Sequence, residues 1–458
     1  MTNVIAVADD VAPCASGKNP REAIHRMQLL LNIVEVHGTQ THMKFGKDKC
    51  QLLIAGRPGQ IRAVEDLLHN EPGILTFFDS PVRLVQDFYT HIGVPQSPRH
   101  QSKNTTEYKI EKGQNINYKL QSSTQNTLSG VSPLCNRKTF LSYHQSSFLY
   151  GLDTMNINTT DMARLETKYR QVLKNMLSLP VCAPSALVYL SVGVLPATAQ
   201  RHLEICFCLG QLALSDMDDQ NVRKIILHNL TFYDDNFGGW SGLARKTAER
   251  YGLPDPLQYM QYPWRADRWR EHCRQRITVY WEEKLKSELF NEEGDEKTSS
   301  LFVDVDNLSL TSPMRIWQQA AMDSNSVKEA TPSSWMYSGV YFTREFMYKM
   351  KKTKSPNCAC EMNVIESLPH FLLECNLYQS VREQYLPKYL MMNKNVTSIC
   401  DSKKQIIICI LDPLSSKLPD CVTSAWSSVR DVYQLSRKFT YRMHLKREKI
   451  YNELDGDG

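Results

Sequence analysis

The sequence predicts an α+β fold, on three observations. Short apolar strands alternate with helical patterns in residues 1–98, which is typical of mixed strand-and-helix units. Residues 141–290 carry apolar side chains at helical spacing. Farther along, cysteine and histidine residues cluster between Cys358 and Cys375, which predicts a small metal-binding unit followed by a helical end.

Composition and charge exclude several classes of protein. Hydrophobic residues make up 42% of the 458 residues and charged residues 22%, so wholesale disorder is not expected. A net charge of +5 does not by itself indicate a nucleic-acid partner. No stretch reaches the roughly 18 apolar residues of a membrane helix, so no membrane partner is expected. The 13 cysteines form no regular framework and no signal peptide is evident, which predicts reduced thiols and an intracellular protein, nuclear or cytoplasmic.

The amino-terminal part predicts strands and helices in turn. Residues 4–8 form an apolar strand that ends at Asp9 and Asp10. The next helix should begin at the N-cap residue Asn19 and end at Gly38, because these residue types favour those positions. The further expected elements are a strand at 49–54, a helix near 60–69 and a strand near 88–94.

The remaining chain divides by composition. Residues 99–140 are rich in Ser, Gln, Asn and Thr, and we expect a polar linker or insertion. A helical region should span 141–290 and an acidic linker 291–328. The metal-binding region should cover 329–400, and a carboxy-terminal helical region 401–458.

Three helices are expected within the helical region. The second should span about 186–214 with a break at Pro196, and the third about 265–289. The first should carry a buried stripe at helical spacing, made of Met162, Leu165, Tyr169, Val172 and Met176. Four side chains of the third helix should face a hydrophobic core: Trp269, Cys273, Ile277 and Tyr280.

Asp9 and Asp10 are candidate ligands for divalent cations. A nucleotidyl transferase needs carboxylates that hold two Mg²⁺ ions, one at the primer hydroxyl and one at the triphosphate. Two aspartates at the tip of a strand are suited to that task. The same pair is also common as ordinary turn residues, so the pair alone does not decide between the two interpretations.

The cysteine and histidine residues have the spacing Cys-x-Cys-x9-His-x4-Cys, formed by Cys358, Cys360, His370 and Cys375. Three thiolates and one imidazole suit tetrahedral Zn²⁺. The His-x4-Cys half fits one face of a helix start, whereas the Cys-x-Cys half is tighter than the usual two-residue gap. The alternative is a chance cluster in a cysteine-rich chain.

Two basic stretches are candidates for contact with nucleic acid, because arginine and lysine bind phosphate. The first lies on the third predicted helix and comprises Arg265, Arg268, Arg270 and Arg274, of which the last two, four residues apart, should project together. The second precedes the cysteine cluster and comprises Lys349, Lys351, Lys352 and Lys354. For both stretches the alternative is a solvated face. A solvated face is also expected on the last helix for Arg442, Lys446, Arg447 and Lys449.

Several of these segments, in this order, resemble the reverse transcriptases of LINE-type (non-LTR) retrotransposons. Residues 8–11, Ala-Asp-Asp-Val, resemble the family's Ala-Asp-Asp hairpin. Residues 44–50, Lys-Phe-Gly-Lys-Asp-Lys-Cys, resemble the next motif, in which a lysine, here Lys49, opens a strand near the incoming nucleotide. Residues 89–94, Tyr-Thr-His-Ile-Gly-Val, resemble the hairpin that leads into the thumb.

The resemblance continues toward the carboxy terminus. Residues 165–180 and 186–199 look like thumb helices, and residues 366–375, followed by Tyr378 and Arg382, look like the family's zinc knuckle. The resemblance implies a partial palm, a helical thumb and a zinc knuckle. It also implies Mg²⁺ in the complete enzyme, structural Zn²⁺, and RNA template and DNA primer or target as partners.

One departure from the family governs the functional expectation. The family's third metal-binding carboxylate lies upstream of the Asp-Asp hairpin, in a region that would precede Met1, as would the fingers. We therefore expect a truncated RNA-directed DNA polymerase that is inactive alone unless an upstream polypeptide complements it. The alternatives are a non-catalytic RNA- or DNA-binding module and a domesticated interaction scaffold.

This expectation has a direct test. Primer extension by the purified chain on an RNA template, with Mg²⁺ or Mn²⁺, should give no product, because two carboxylates leave the ion pair under-coordinated. Extension that disappears in Asp9→Ala would show that the chain is a polymerase as it stands.

Overall fold

The computed structural model describes residues 2–7, 10–46, 50–85, 87–122, 126–215, 220–232, 239–290, 302–320, 323–360, 363–393, 396, 400 and 402–456. The chain divides into two compact units. The first comprises 1–111 and 150–162, and the second 112–149 and 163–458. Most described residues are helical, and four two-stranded sheets lie in the first unit, in agreement with an α+β class.

The first unit opens with a hairpin. β1 (Thr2–Val7) pairs antiparallel with β2 (Asp10–Ala15), and Val7 lies opposite Asp10. The predicted first strand is therefore present and is one arm of a hairpin. The other aspartate of the predicted pair, Asp9, lies outside the described residues.

The first helix begins as the sequence predicts. In α1 (Pro20–Gln40), the Asn19 side chain accepts a hydrogen bond from the Glu22 backbone N–H at 2.9 Å. The predicted end at Gly38 is wrong, since the helix runs two residues farther. Gly38 serves close packing instead, because a Cβ there would lie 2.5 Å from a ring carbon of Phe45.

Three short sheets and one helix follow in this unit. Ile24 and Leu31 of α1 pack with Leu75 and Phe77 in its hydrophobic core. The predicted strand near 88–94 is the start of a hairpin. The elements are α2 (Pro58–Asn70), parallel β3 (Gln51–Leu52) and β6 (Arg83–Leu84), antiparallel β4 (Thr76–Phe77) and β5 (Ser80–Pro81), and antiparallel β7 (Tyr89–His91) and β8 (Val94–Gln96).

The segment expected to be a polar linker, 99–140, is largely helical. It contains α3 (Gln101–Ser122) and α4 (Pro133–Thr139). α3 buries Thr105 and Thr106 completely, and a Cβ at its Gly113 would lie 2.5 Å from the Phe148 ring. The described buried positions of this helix are Thr105, Thr106, Lys109 and Gly113, none of which is a large apolar residue, so an apolar period could not reveal it.

The predicted stripe and break in the helical region are confirmed. All five stripe residues of α6 (Thr159–Met176) are buried. α7 (Ser185–Val192) ends at Gly193 with a positive φ of 69°, and α8 (Ala197–Leu214) begins after Pro196. Proline and glycine therefore separate the two helices, as their backbone preferences dictate.

The third predicted helix is α12 (Ala266–Ser287). Trp269 and the next two predicted core residues are buried, but the prediction for Tyr280 is wrong, because that side chain is 37% exposed. Trp281 is buried in its place and donates a hydrogen bond from Nε1 to the Tyr251 hydroxyl at 2.8 Å. The buried positions thus recur every fourth residue along this helix.

The acidic linker expected at 291–328 needs a similar correction where the structure describes it. Val303 and Val305 are buried, and α13 (Arg315–Ala320) follows them. This stretch is part of the packed second unit. Asp304 in this stretch is fully buried. The Ser416 backbone N–H and hydroxyl donate hydrogen bonds to its carboxylate at 2.7 and 2.8 Å, which compensate for the loss of water.

The remaining described helices belong to the second unit. The predicted carboxy-terminal helical region, 401–458, ends in two helices, α18 (Asp420–Thr423) and α19 (Val429–Gly456). Among the described residues, no helix is both long and apolar enough to cross a membrane. The other helices are α5 (Ser146–Leu149), α9 (Gln220–Phe232), α10 (Trp240–Tyr251), α11 (Pro256–Gln261), α14 (Ser324–Tyr337), α15 (Arg344–Lys349), α16 (Gln379–Met391) and α17 (Lys403–Leu411).

Candidate metal centre

The four predicted metal ligands lie together in the second unit. Cys358 Sγ is 3.6 Å from Cys375 Sγ, and Cys360 Sγ is 3.5 Å from His370 Nε2. All four ligand atoms lie within 4.8 Å of one another, and all four residues are buried. This Cys₃His cluster can therefore hold a metal ion.

A tight turn positions the first two cysteines. The Cys358 backbone N–H donates to the Val364 carbonyl at 2.8 Å, and Asn357 pairs with Ile365 in an antiparallel bridge. The chain thus folds back on itself within a few residues. This turn brings both thiols of the close Cys-x-Cys spacing to one side of the segment.

A wide helical turn positions the other two ligands. Residues His370–Glu374 form a π-helical turn, in which the Cys375 N–H donates to the His370 carbonyl at 2.8 Å. The sequence predicted the start of an ordinary helix. In a π-helical turn the hydrogen bond joins residues five positions apart instead of four. This wider turn brings His370 and Cys375, which are five positions apart, to the same side, and such turns are frequent at functional sites.

Burial affects the ionisation of the thiols in the cluster. Burial raises the pKa of the Cys358 and Cys375 thiols above the ordinary value. A divalent cation reverses this effect because it binds the thiolate directly. The His370 Nδ1 lies 3.5 Å from the Glu374 carboxylate, which leaves Nε2 toward the thiols, and Glu374 is itself paired with Lys403.

Tyr378 and Arg382, which follow the cluster in the sequence, hold its backbone in place. Arg382 donates from Nη2 to the Cys375 carbonyl at 2.5 Å. Tyr378 is fully buried, and its ring packs edge-on against Phe371 at 4.9 Å between centroids. Both side chains therefore fix the backbone that carries the last ligand.

A buried ion pair joins the cluster to helix α19. The Arg447 guanidinium donates two hydrogen bonds to the Glu366 carboxylate, at 3.0 and 2.8 Å, and both side chains are buried. The Arg344 backbone N–H donates to the same carboxylate at 2.6 Å. Arg447 also lies over the Tyr451 ring at 4.5 Å, and the Tyr451 hydroxyl accepts from the Ala359 N–H at 3.3 Å.

The sequence does not reveal this ion pair. It predicts a solvated face for Arg447, and that prediction is wrong because the side chain is buried. The available signal was helical spacing, because the buried residues Thr440, His444, Arg447 and Tyr451 recur three or four positions apart.

The lysine segment before the cluster, residues 349–354, starts at the last residue of α15 and continues as an exposed loop, called the lysine loop. Lys349 is paired with Glu345 at 2.8 Å. Lys351, Lys352 and Lys354 are exposed and form no ion pair within the described part of the chain. Tyr348, at the edge of the loop, has about half of its surface exposed (49%).

The predicted arginines of α12 project from its exposed side. Arg270 and Arg274 both lie over the Phe207 ring, at 5.7 and 5.8 Å, so they project together as expected. Arg274 is also paired with Glu271 at 3.1 Å. Arg265 is paired with Asp267 at 3.3 Å, and Arg268 lies over the Trp264 ring at 5.1 Å.

The predicted catalytic residues are not described at the side-chain level. Asp9 and Lys49 lie outside the described residues, and for Asp10 only the backbone is described. The expected Mg²⁺ site therefore stays a prediction from the sequence.

No protein-family model matches the chain, and no curated protein or solved structure shows significant similarity to it. The reverse-transcriptase resemblance accordingly remains a prediction that rests on the motifs quoted above.

Proposed function

We propose that this chain belongs to a non-LTR retrotransposon reverse transcriptase and that it holds single-stranded RNA. One observation carries the proposal: a buried Cys₃His cluster follows directly after the exposed lysine loop. Zinc-bound segments bind RNA where a folded knuckle presents cations and ring surfaces to a single strand.

Zinc is the metal that the cluster suits best. Tetrahedral zinc with bonds of about 2.3 Å to sulfur places neighbouring ligand atoms about 3.8 Å apart. The Cys358–Cys375 distance of 3.6 Å and the Cys360–His370 distance of 3.5 Å are close to that spacing. Mg²⁺ and Ca²⁺ prefer oxygen ligands, and a site filled by four protein ligands leaves no position for a substrate. The proposed zinc is therefore structural.

The lysine loop supplies the charge that the proposal needs. Lys351, Lys352 and Lys354, which form no ion pair with any residue that the structure describes, can release counterions from an RNA backbone, whereas Lys349 shares its charge with Glu345. The half-exposed ring of Tyr348 offers a surface on which a base can stack. Such contacts hold RNA without reading its sequence.

Replacing Lys351, Lys352 and Lys354 together with alanine should weaken RNA binding and its dependence on salt. Each phosphate contact on a single strand adds about 0.7 to the slope of log affinity against log salt, so the slope should flatten by roughly 2. Filter binding of unrelated RNA sequences across a salt series measures this change, which should be similar for all of them.

A matched control removes the same charge elsewhere. Lys224, Lys246 and Lys388 are exposed lysines outside both basic stretches, and their triple alanine variant should leave the slope unchanged. Equal slopes for the two triple variants would show that the loop is an ordinary solvated face.

The arginine face of α12 should contribute separately. Arg270→Ala with Arg274→Ala should flatten the slope by about 1, because one of the two arginines already shares its charge with Glu271. Contributions from separate elements are usually additive, so the variant that combines both sets should show the summed loss. If neither set changes RNA binding, the RNA-holding function is wrong and a protein-interaction scaffold takes its place.

A further inference from the structure

Helix α12 carries basic residues on both sides of its buried positions. Arg270 and Arg274 each follow a buried residue by one position, whereas Arg268, His272 and Arg276 each precede one. One position is about 100° around a helix, so the two sets lie on opposite flanks. The second set, called the histidine flank, places one basic residue at every turn over about 12 Å of the helix.

The two arginines of the histidine flank are available to an anion. Arg268 and Arg276 are exposed and form no ion pair with any residue that the structure describes, whereas Arg274 on the other flank is paired with Glu271. Arg276 donates from Nε to the Tyr251 carbonyl at 2.9 Å, which holds its guanidinium in place at the end of α10. The flank therefore presents two cations that no described carboxylate neutralises.

Aromatic rings lie beside these cations. The Arg268 guanidinium lies over the Trp264 ring at 5.1 Å, and the His272 ring meets the same indole edge-on at 5.2 Å between centroids. Tyr262, two positions before Trp264, is 76% exposed, so its ring is open to a stacking base. Cations with rings between them are the arrangement by which proteins hold single-stranded nucleic acid.

His272 is the member of the flank that titrates near neutral pH. Its own partial burial and the guanidinium groups of Arg276 and Arg268 lower the pKa of the half-buried imidazole. Helices α7, α8 and α10 pack against α12, and no charged group that the structure describes on them shifts this pKa. The imidazole is therefore neutral at neutral pH, and phosphates beside it would favour its protonation.

We propose that a single RNA strand crosses the histidine flank and that its binding places a proton from solvent on His272. The imidazolium then becomes the third cation in the row, between Arg268 and Arg276. The inference rests on the proposed RNA-holding function and adds to it a dependence on pH. RNA fits this surface better than an acidic peptide does, because its bases can use the exposed Tyr262 ring as well as the cations.

The test measures binding of unrelated single-stranded RNA oligomers to the full chain between about pH 8 and about pH 5.5. Affinity should rise as the pH falls, by at most about ten-fold per pH unit, which is the limit for uptake of one proton. The slope of log affinity against log salt should be steeper by about 0.7 at the lower pH, because the imidazolium adds one phosphate contact.

Two variants at the same position separate charge from shape. His272→Gln should match the parent chain at about pH 8 and lose both changes at lower pH. His272→Arg should show the steeper salt slope at about pH 8 already, because its charge does not titrate there. His69→Gln, at an exposed position of α2, is the matched control and should keep the pH dependence of the parent chain.

Calorimetry in buffers with different enthalpies of ionisation measures the proton directly. Binding of RNA to the parent chain should take up as much as one proton, and His272→Gln should remove this uptake. Melting temperatures of both variants, measured at about pH 8, should stay close to that of the parent, because the His272 side chain is only half-buried.

The same pH dependence in the parent chain and in His272→Gln, or none in the parent, would overturn the inference. A His272-dependent response to pH for poly-glutamate but not for RNA would also overturn it and assign the flank to an acidic protein. These results are distinct from failure of the proposed function. If the lysine-loop variant still flattens the salt slope, only the histidine flank is wrong, whereas a chain that binds no RNA contradicts both.

Discussion

Replacing Cys375 with serine should abolish metal binding and destabilise the segment around it. Cys375 is fully buried, and its thiol lies among the other three ligand atoms. Structural zinc contributes about 10–16 kcal/mol of apparent binding free energy in small zinc-binding peptides. Metal analysis should give about one zinc per chain for the parent protein and close to none for the variant, and thermal unfolding should show a large loss of stability.

Cys182→Ser is the matched control. Cys182 is an exposed cysteine outside the cluster, so this variant should keep its zinc and its melting temperature. A strong chelator should reproduce the effect of Cys375→Ser in the parent chain. A parent chain that holds no metal, or a Cys375→Ser variant that holds as much as the parent, would contradict the assignment.

The second large effect is expected at the buried ion pair. Glu366→Gln removes the charge that compensates Arg447, and removal of one partner from a buried pair costs about 3–5 kcal/mol. Glutamine keeps an oxygen for the Arg344 N–H, so the loss should come mainly from the uncompensated guanidinium. Denaturant unfolding measures the free energy of unfolding. Zinc affinity should fall too, because Glu366 lies between two of the ligands in the sequence.

A double-mutant cycle separates the pair from the packing around it. Arg447→Met should also be costly, but Glu366→Gln combined with Arg447→Met should cost less than the sum of the two. Arg442→Met, on the exposed side of the same helix, should change stability by less than about 0.5 kcal/mol. Additive losses in the cycle would mean that the two charges do not stabilise each other.

The parts of the fold that the sequence predicted correctly depend on local rules. The Asn19 cap, the α6 stripe and the break at Pro196 follow from interactions between residues a few positions apart. It was also predictable that the four metal-cluster residues lie close together, because only 17 positions of sequence separate the first, Cys358, from the last, Cys375. Their burial and the π-helical turn were not, because they depend on packing by other elements.

The predictions that failed required information from distant residues. Helical spacing could place Arg447 on the buried side of its helix, but it could not identify the carboxylate, 81 residues away in the sequence, that Arg447 meets there. α3 was not predictable from an apolar pattern, because its described buried positions carry threonine, lysine and glycine. The prediction for Tyr280 failed because the buried position is the next residue, Trp281. The Trp281 indole N–H donates a hydrogen bond to the Tyr251 hydroxyl, a contact with a distant residue that helical spacing does not reveal.

The length of sequence between Glu366 and Arg447 has a consequence for synthesis of the protein. A ribosome that adds about 5–20 residues per second needs about 4–16 s to make the 81 residues that separate them. During that interval the Glu366 carboxylate lacks its partner Arg447. All four residues of the Cys₃His cluster are made before Arg447, so binding of the proposed zinc can stabilise this segment before the ion pair forms, and growth in zinc-poor medium should lower the yield of folded chain.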